Sequence, residues 1–341
     1  MIIDLVLLVG GLLLLVVSAD QFVLGASRVA QLFSLSPLVV GAVVIGFGTS
    51  APELVVSVTA AAGGDLALGA GNVVGSNVAN LSLVLAAAAM TTRLAIEPGI
   101  LRREAPVSVL ATCLFAAVVI DGSITRLEGV GLAVAMVIAL VVLVAGGLQA
   151  QQEAQPLLAG RRRSHDALRL VAGLTGVVLA ARLVVDGATG LAAGWGLTGG
   201  FVGFSLVAIG TSLPELVTTL AAARRRETGL IVGNLLGSNV FNSLTVGAGM
   251  GLIGPGQIGD DALVGTGITV MVVVAIAAYA MAARGLFLGR LDGVILLGIY
   301  LVAMVLLIGN STDETGVLND SAPQGLIDQF DGMGDLHARP G

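Results

Sequence analysis

One polar pattern occurs twice in this chain, 162 residues apart, and each copy is embedded in apolar sequence. Residues 46–53 read Gly-Phe-Gly-Thr-Ser-Ala-Pro-Glu, and residues 208–215 read Ala-Ile-Gly-Thr-Ser-Leu-Pro-Glu. A second pair follows: Gly-Asn-Val-Val-Gly-Ser-Asn-Val-Ala-Asn over 71–80 and Gly-Asn-Leu-Leu-Gly-Ser-Asn-Val-Phe-Asn over 233–242. Residues 41–85 align with 203–247 without a gap, and 19 of the 45 pairs are identical. Biased composition supplies chance alanine and valine matches. It does not supply runs of polar residues at fixed spacing, so the chain is an internal duplication.

The setting of these motifs is a membrane. Only 11% of the 341 residues are charged and mean hydropathy is +1.01, against about 25% charged in a soluble domain. Apolar runs of spanning length predict ten helices near 2–24, 37–63, 67–91, 104–121, 127–149, 167–193, 199–223, 228–253, 261–283 and 290–309. Five helices fall in each half, and an odd number makes the second copy enter the membrane from the opposite side. The fold class expected is therefore an all-α polytopic membrane protein: ten transmembrane helices as two inverted five-helix repeats. The first repeat covers 1–149, with its motif at 41–85, and a cytoplasmic linker covers 150–166. The second repeat covers 167–309, with its motif at 203–247. Residues 310–341 carry six acidic residues against one arginine and are expected to be a disordered tail.

Arginine placement gives the orientation, because cytoplasmic loops are enriched in basic residues. Alternate loops hold Arg28; Arg93, Arg102 and Arg103; Arg161, Arg162, Arg163 and Arg169; Arg224 to Arg226; and Arg284 and Arg290. That makes 13 arginines, while the opposite loops hold only Arg126. Both termini are then expected outside. The opening Met-Ile-Ile-Asp lacks a cationic region, so it reads as the first spanning helix rather than a removed signal. Cys113 lies in an apolar run and supports neither a disulfide nor a thiolate metal site. His165 and His337 fall in the linker and the tail, which leaves an intramembrane hydrolytic or His-metal centre without a histidine.

A carboxylate inside a spanning segment is costly and marks function unless it is paired. As a helix, Thr49 and Glu53 share a face, and Gly46 falls on it too. Pro52 has no N–H to return to the Gly48 carbonyl. Thr211, Glu215, Ala208 and Pro214 repeat the arrangement. Hydroxyl, carboxylate and carbonyl oxygens are what hard cations require. A second explanation competes: Ser50 and Glu53 also fit a helix-capping box. In the second motif Asn72, Ser76 and Asn80 form a stripe at every fourth position, repeated by Asn234, Ser238 and Asn242. Ser76, Asn80, Ser238 and Asn242 are expected to line the site. Asn72, Asn77, Asn234 and Asn239 are expected to join helices. Arg182 and Asp186, four apart, are expected to pair with each other. Asp20 is the equivalent of Arg182, so the halves differ there, and it is assigned an interfacial or structural role.

Two ionised glutamates balance one Ca²⁺ or two Na⁺, and three Na⁺ leave one excess charge. A proton could replace a cation on either carboxylate. Ca²⁺ and Na⁺ have similar size, so overlapping oxygen sites can hold one or the other. If two bare carboxylates cannot reorient across the membrane, cargo is obligatory in both directions, which is the requirement for exchange.

Gly-Thr-Ser-x-Pro-Glu paired with Gly-Ser-Asn-x-x-Asn, twice, resembles the alpha repeats of the cation/Ca²⁺ exchanger superfamily, most closely the prokaryotic sodium/calcium exchangers. That resemblance implies that Glu53 and Glu215 are the central carboxylates. It implies hydroxyl ligands at Thr49, Ser50, Thr211 and Ser212, further ligands at Ser76, Asn80, Ser238 and Asn242, and carbonyl donors at Gly46 and Ala208. It also implies alternating access by movement of the first and sixth helices past the core. Some members carry Asp where this chain has Asn242, and Asn at both positions argues against K⁺ co-transport. The function expected is a Na⁺/Ca²⁺ antiporter of the cytoplasmic membrane, exporting Ca²⁺. A Ca²⁺/H⁺ antiporter on the same scaffold is the alternative, with a cation channel and an intramembrane enzyme as readings of other classes. No cofactor is expected beyond the transported ions. The expected partners are Ca²⁺, Na⁺ or H⁺ and the lipid bilayer, with neither nucleic acid nor an obligatory protein partner.

Overall fold

The computed structural model describes residues 1–33, 35–151, 163–194 and 210–320, and nearly all of them are helical. The helices are α1 (Ile2–Leu32), α2 (Pro37–Thr49), α3 (Ala51–Ala62), α4 (Leu66–Thr91), α5 (Pro98–Arg102), α6 (Glu104–Val119), α7 (Arg126–Gln151), α8 (Arg163–Gly194), α9 (Leu213–Arg224), α10 (228–253), α11 (Leu263–Gly285) and α12 (Arg290–Asp320). Among the described residues, five helices are long and apolar enough to cross a membrane. The bent pair α2 and α3, which meet at 44°, makes a sixth.

Small residues set the packing. α1 and α8 lie antiparallel along their whole length. Their backbones touch: a Cβ on Gly173 would come within 2.5 Å of the Phe22 nitrogen. The α2–α10 contact is as close, since a Cβ on Gly237 would meet the Ala42 carbonyl oxygen at 2.3 Å. Without a hydrophobic driving force between helices in lipid, backbone proximity of this kind is what holds them together. α2 thus lies on α10, so a helix of the first repeat is built onto one of the second.

Four two-residue strands close the ends of the bundle: β1 (Leu94–Ala95), β2 (Ser123–Ile124), β3 (Gly256–Gln257) and β4 (Phe287–Leu288). β1 pairs antiparallel with β4, Leu94 opposite Leu288. β2 pairs with β3, Ser123 opposite Gln257. A shift of 162 carries β1 onto β3, so the two ladders are images of each other. α6, with 16 residues, separates β1 from β2 by about 24 Å of helix rise, so one ladder sits at each end. Each ladder joins one strand of each half.

Several expected boundaries are corrected. α1 continues to Leu32 rather than ending near 24, because Gly25, Ala26, Ser27 and Ala30 remain buried after the apolar run ends. α8 starts at Arg163, inside the expected linker 150–166, and α7 runs to Gln151. There Asp166 accepts from Arg28 at 2.9 Å and lies 4.0 Å from Arg169, so an ion-pair cluster extends the helix beyond its apolar part. α12 continues to Asp320, so the first residues of the expected tail are helical. A helix already begun propagates without apolar content, and no proline intervenes before Pro323. Residues 152–162 of the linker, 199–209 of the predicted seventh helix and 321–341 of the tail lie outside the described residues. Arg182 and Asp186 are both exposed, and no ion pair joins them. Asp20 pairs instead with Arg225 at 2.6 Å.

Candidate cation site between the broken helices

In both proline motifs a helix starts directly after a serine. Ser50 stands between α2 and α3 with φ −84° and ψ 7°. Ser212 precedes α9 with φ −85° and ψ −1°. In each case the proline lies in the first turn after the break, where its missing N–H costs nothing. Glu53 and Glu215 follow one residue later, in the first turns of α3 and α9. A helix N-terminus favours negative charge at that position.

The capping-box alternative fails on geometry. Ser50 makes no side-chain bond to its own helix. Its Oγ donates instead to Glu215 Oε1 at 2.9 Å, crossing between the two repeats. Glu53 and Glu215 are fully buried. Both Glu53 oxygens and Glu215 Oε2 have no hydrogen-bond partner among the described residues. Among the described residues, neither glutamate forms an ion pair. Burying a carboxylate costs several kcal/mol unless something compensates, so three free carboxylate oxygens in one buried region constitute a demand for positive charge.

Neutral polar atoms of the two motifs are buried as well. Ser76 Oγ, Ser212 Oγ, Asn80 Oδ1 and both amide atoms of Asn242 are buried and unpartnered. Asn80 is held by its other amide atom, which donates to Asn239 Oδ1 at 3.2 Å. Ser238 Oγ donates to the Gly46 carbonyl at 3.2 Å. That carbonyl also accepts from Ser50 N at 3.1 Å and lies 3.3 Å from Thr49 Oγ, so it is already engaged. Thr49 Oγ donates to the Ile45 carbonyl at 3.0 Å, which leaves oxygen lone pairs free to accept a cation. Ala208 lies outside the described residues. Among the described residues, no three groups drawn from His, Cys, Asp and Glu gather at one place. The charge of the site is therefore that of two carboxylates, and its remaining donors are hydroxyl, amide and carbonyl oxygens. This set fits a hard cation that takes several oxygen ligands.

The asparagines tie the glutamate-bearing helices to their neighbours. Asn72 Nδ2 donates to Ser57 Oγ at 3.0 Å and to the Glu53 carbonyl at 3.3 Å. Its Oδ1 accepts from Thr211 Oγ of the other repeat at 3.3 Å. Asn234 Nδ2 donates to Thr219 Oγ at 2.9 Å, and its Oδ1 lies 3.4 Å from Thr49 Oγ. Asn77 Nδ2 donates to Ser243 Oγ at 2.9 Å, joining α4 to α10. Sequence reasoning overlooked Ser57 and Thr219. Their signal was present: they are hydroxyl residues 162 apart, one turn beyond each glutamate.

Local winding also departs from a regular α-helix here. π-helical turns cover Val40–Gly46, Asn80–Val84, Phe241–Val246 and Leu263–Gly267. Three of the four contain or end on a candidate residue: Gly46, Asn80 and Asn242. Such turns widen a helix by one residue and displace side chains and carbonyls from the regular ladder, and they concentrate at functional sites.

The comparisons with known proteins agree with this geometry. The family model described as sodium/calcium exchanger protein matches residues 3–145 and 165–309. The protein that bears the name antiporter CaxA in Alkalimonas amylolytica is 38% identical over 290 residues, 82% of this chain and 89% of that one. Inner membrane protein YrbG of Escherichia coli (strain K12) is 34% identical over 311 residues, 88% of this chain and 95% of that one. The solved structure of the sodium-calcium exchanger NCX_Mj soaked with Na⁺ and Ca²⁺ superposes with a TM-score of 0.80 at 31% identity, covering 89% of this chain and 98% of that one. The duplicated motifs, the buried pair of glutamates and these matches together place the chain in the sodium/calcium exchanger family of the cation/Ca²⁺ exchanger superfamily.

Proposed function

We propose that this exchanger exports Ca²⁺ across the cytoplasmic membrane in return for Na⁺, by alternating access around the Glu53–Glu215 site. The observation that carries this reading is the set of three free carboxylate oxygens, all buried and, among the described residues, without an ion-pair partner. Cargo must supply the positive charge, whichever way the site faces. Glu53 and Glu215 are the central ligands. Thr49, Ser50, Thr211, Ser212, Ser76, Asn80, Ser238 and Asn242 supply neutral oxygens, with the carbonyl of Ala208 and that of Gly46 once Ser238 releases it.

The scaffold in this reading is ten helices in two inverted repeats, 1–149 and 167–309, with both termini outside and residues 150–166 in the cytoplasm. The excess of arginine in alternate loops supports that orientation. Sodium coupling is supported by the family's description and by NCX_Mj, which was soaked with Na⁺, Ca²⁺ and Sr²⁺. The same similarities weigh against a Ca²⁺/H⁺ antiporter.

The test is ⁴⁵Ca²⁺ uptake into proteoliposomes, driven in turn by an outward Na⁺ gradient and by a pH gradient. Uptake with Na⁺ alone is expected. Uptake driven by the pH gradient without Na⁺ would replace Na⁺ with H⁺ as the coupling ion.

A further inference from the structure

Two inverted copies of one sequence give the two faces of a transporter similar energies, so departures from the repeat bias the balance between them. Such a departure lies at the arginine-rich end of α9. Arg225 follows α9, and its Nε and Nη2 donate to Asp20 Oδ1 on α1 at 3.1 and 2.6 Å. Ser27 Oγ on α1 donates to Glu227 Oε1 at 2.8 Å. Shifted by 162, the counterpart of Arg225 is Gly63, which has no side chain to offer. The counterpart of Asp20 is Arg182, exposed and without an ion pair among the described residues. The counterpart of Glu227 is Asp65, whose Oδ1 accepts from Leu68 N to cap α4. Among the described residues, the attachment therefore exists at one end only.

Packing shows the same bias. α1 lies along α9, while α8 has no comparable face on α3, the counterpart of α9. Val55 on α3 is 58% exposed and Thr59 is exposed. Their counterparts on α9, Val217 and Ala221, are half-buried and buried. The α1–α8 pair covers the α9 side of the site and leaves the α3 side open.

We propose that Asp20 and Arg225, aided by Ser27 and Glu227, are positioning residues that hold the α1–α8 pair against α9. They thereby set the fraction of molecules whose site faces the arginine-poor side of the membrane. This rests on the alternating-access reading above. A partly exposed ion pair shifts a two-state ratio by up to about fivefold.

Two readouts test it, in the wild type, Asp20→Asn, Arg225→Gln, Asp20→Arg and the double variant Asp20→Arg/Arg225→Asp. The first is the apparent KM for Ca²⁺ at each face, measured by Na⁺-dependent exchange in oriented proteoliposomes. Each single variant should lower KM at the arginine-rich face and raise it at the other, changing their ratio by about two- to fivefold. The charge swap should restore it. A merely structural role would lower the maximal rate at both faces and leave the ratio alone. The second readout needs no transport: alkylation of Val55→Cys, in a Cys113→Ser background, by an impermeant maleimide. The single variants should slow labelling and the swap should recover it. Unchanged KM ratios and labelling rates in the single variants, or a swap that restores neither, would overturn the proposal. Altered labelling in protein that shows no Na⁺-driven exchange would sustain the positioning role and reject the coupling.

Discussion

At the scale of single residues, the site is defined by what its carboxylates lack. Among the described residues, Glu53 has neither a donor nor a cation for its side chain, and Glu215 Oε2 has no partner while its Oε1 accepts from the Ser50 hydroxyl. Replacing Glu53 or Glu215 by Gln removes one of the two charges proposed to neutralise Ca²⁺. Na⁺-dependent ⁴⁵Ca²⁺ exchange is expected to fall by about 100-fold or more, in line with the 3–5 kcal/mol of a broken buried charge pair. Stability should move the other way. In cation-free buffer the melting temperature of Glu53→Gln should equal or exceed that of the wild type, because an uncompensated buried charge is gone. The Ca²⁺-induced rise in melting temperature should vanish with it. A variant that melts early and keeps its Ca²⁺ response would assign Glu53 a structural role. Asn72→Ala probes the supporting layer. It frees the Glu53 backbone and Ser57, and Ca²⁺ affinity is expected to weaken by about 10-fold or more, as when the partners of metal ligands are removed. Isothermal titration would measure this.

At the scale of elements, the site is made by helices that stop. α2 ends and α3 begins around Ser50, and α9 begins directly after Ser212. Proline spacing announced both breaks in the sequence, and the duplication announced that they belong together. The π-helical turns at Gly46, Asn80 and Asn242 were not legible, because their side-chain spacing differs from an α-helix by one residue and leaves no pattern of its own. The capping box at Ser50 was legible but misleading: local sequence offers Ser50 its own helix, and tertiary structure offers it Glu215. The ends of α1 and α8 were misjudged because hydropathy reads burial in lipid, whereas these ends are buried against each other. Close helix packing can be tested directly. A methyl group at Gly237 would press on the Ala42 carbonyl. Gly237→Ala is therefore expected to cost about 1–3 kcal/mol, seen as a lower melting temperature in detergent with loss of exchange.

At the scale of the whole molecule, the duplication makes exchange a matter of symmetry and of its exceptions. Two strand ladders, one at each end, tie the halves together, and α2 lies on α10 across the repeats. The α1–α8 pair is the element whose contacts are lopsided, packed on α9 and open toward α3. If three Na⁺ enter for each Ca²⁺, one net charge crosses per cycle, worth about 2.3 kcal/mol per 100 mV. The Ca²⁺ gradient reached at equilibrium should then change by about 50-fold per 100 mV imposed on the liposomes. A gradient indifferent to voltage would fix the exchange at two Na⁺. With Asn at both 80 and 242, replacing the surrounding K⁺ by an inert cation at fixed voltage should leave exchange unchanged.

The claim beneath all of this is that two glutamates from opposite halves form one site that Na⁺ and Ca²⁺ occupy in turn. Equilibrium ⁴⁵Ca²⁺ binding to the purified protein tests it most directly, in the wild type and in the Glu53→Gln and Glu215→Gln variants, with and without Na⁺. Ca²⁺ should bind the wild type, be displaced by Na⁺, and fail to bind either variant at the same concentration. Undiminished binding in either variant, or binding to the wild type that Na⁺ leaves untouched, would contradict it.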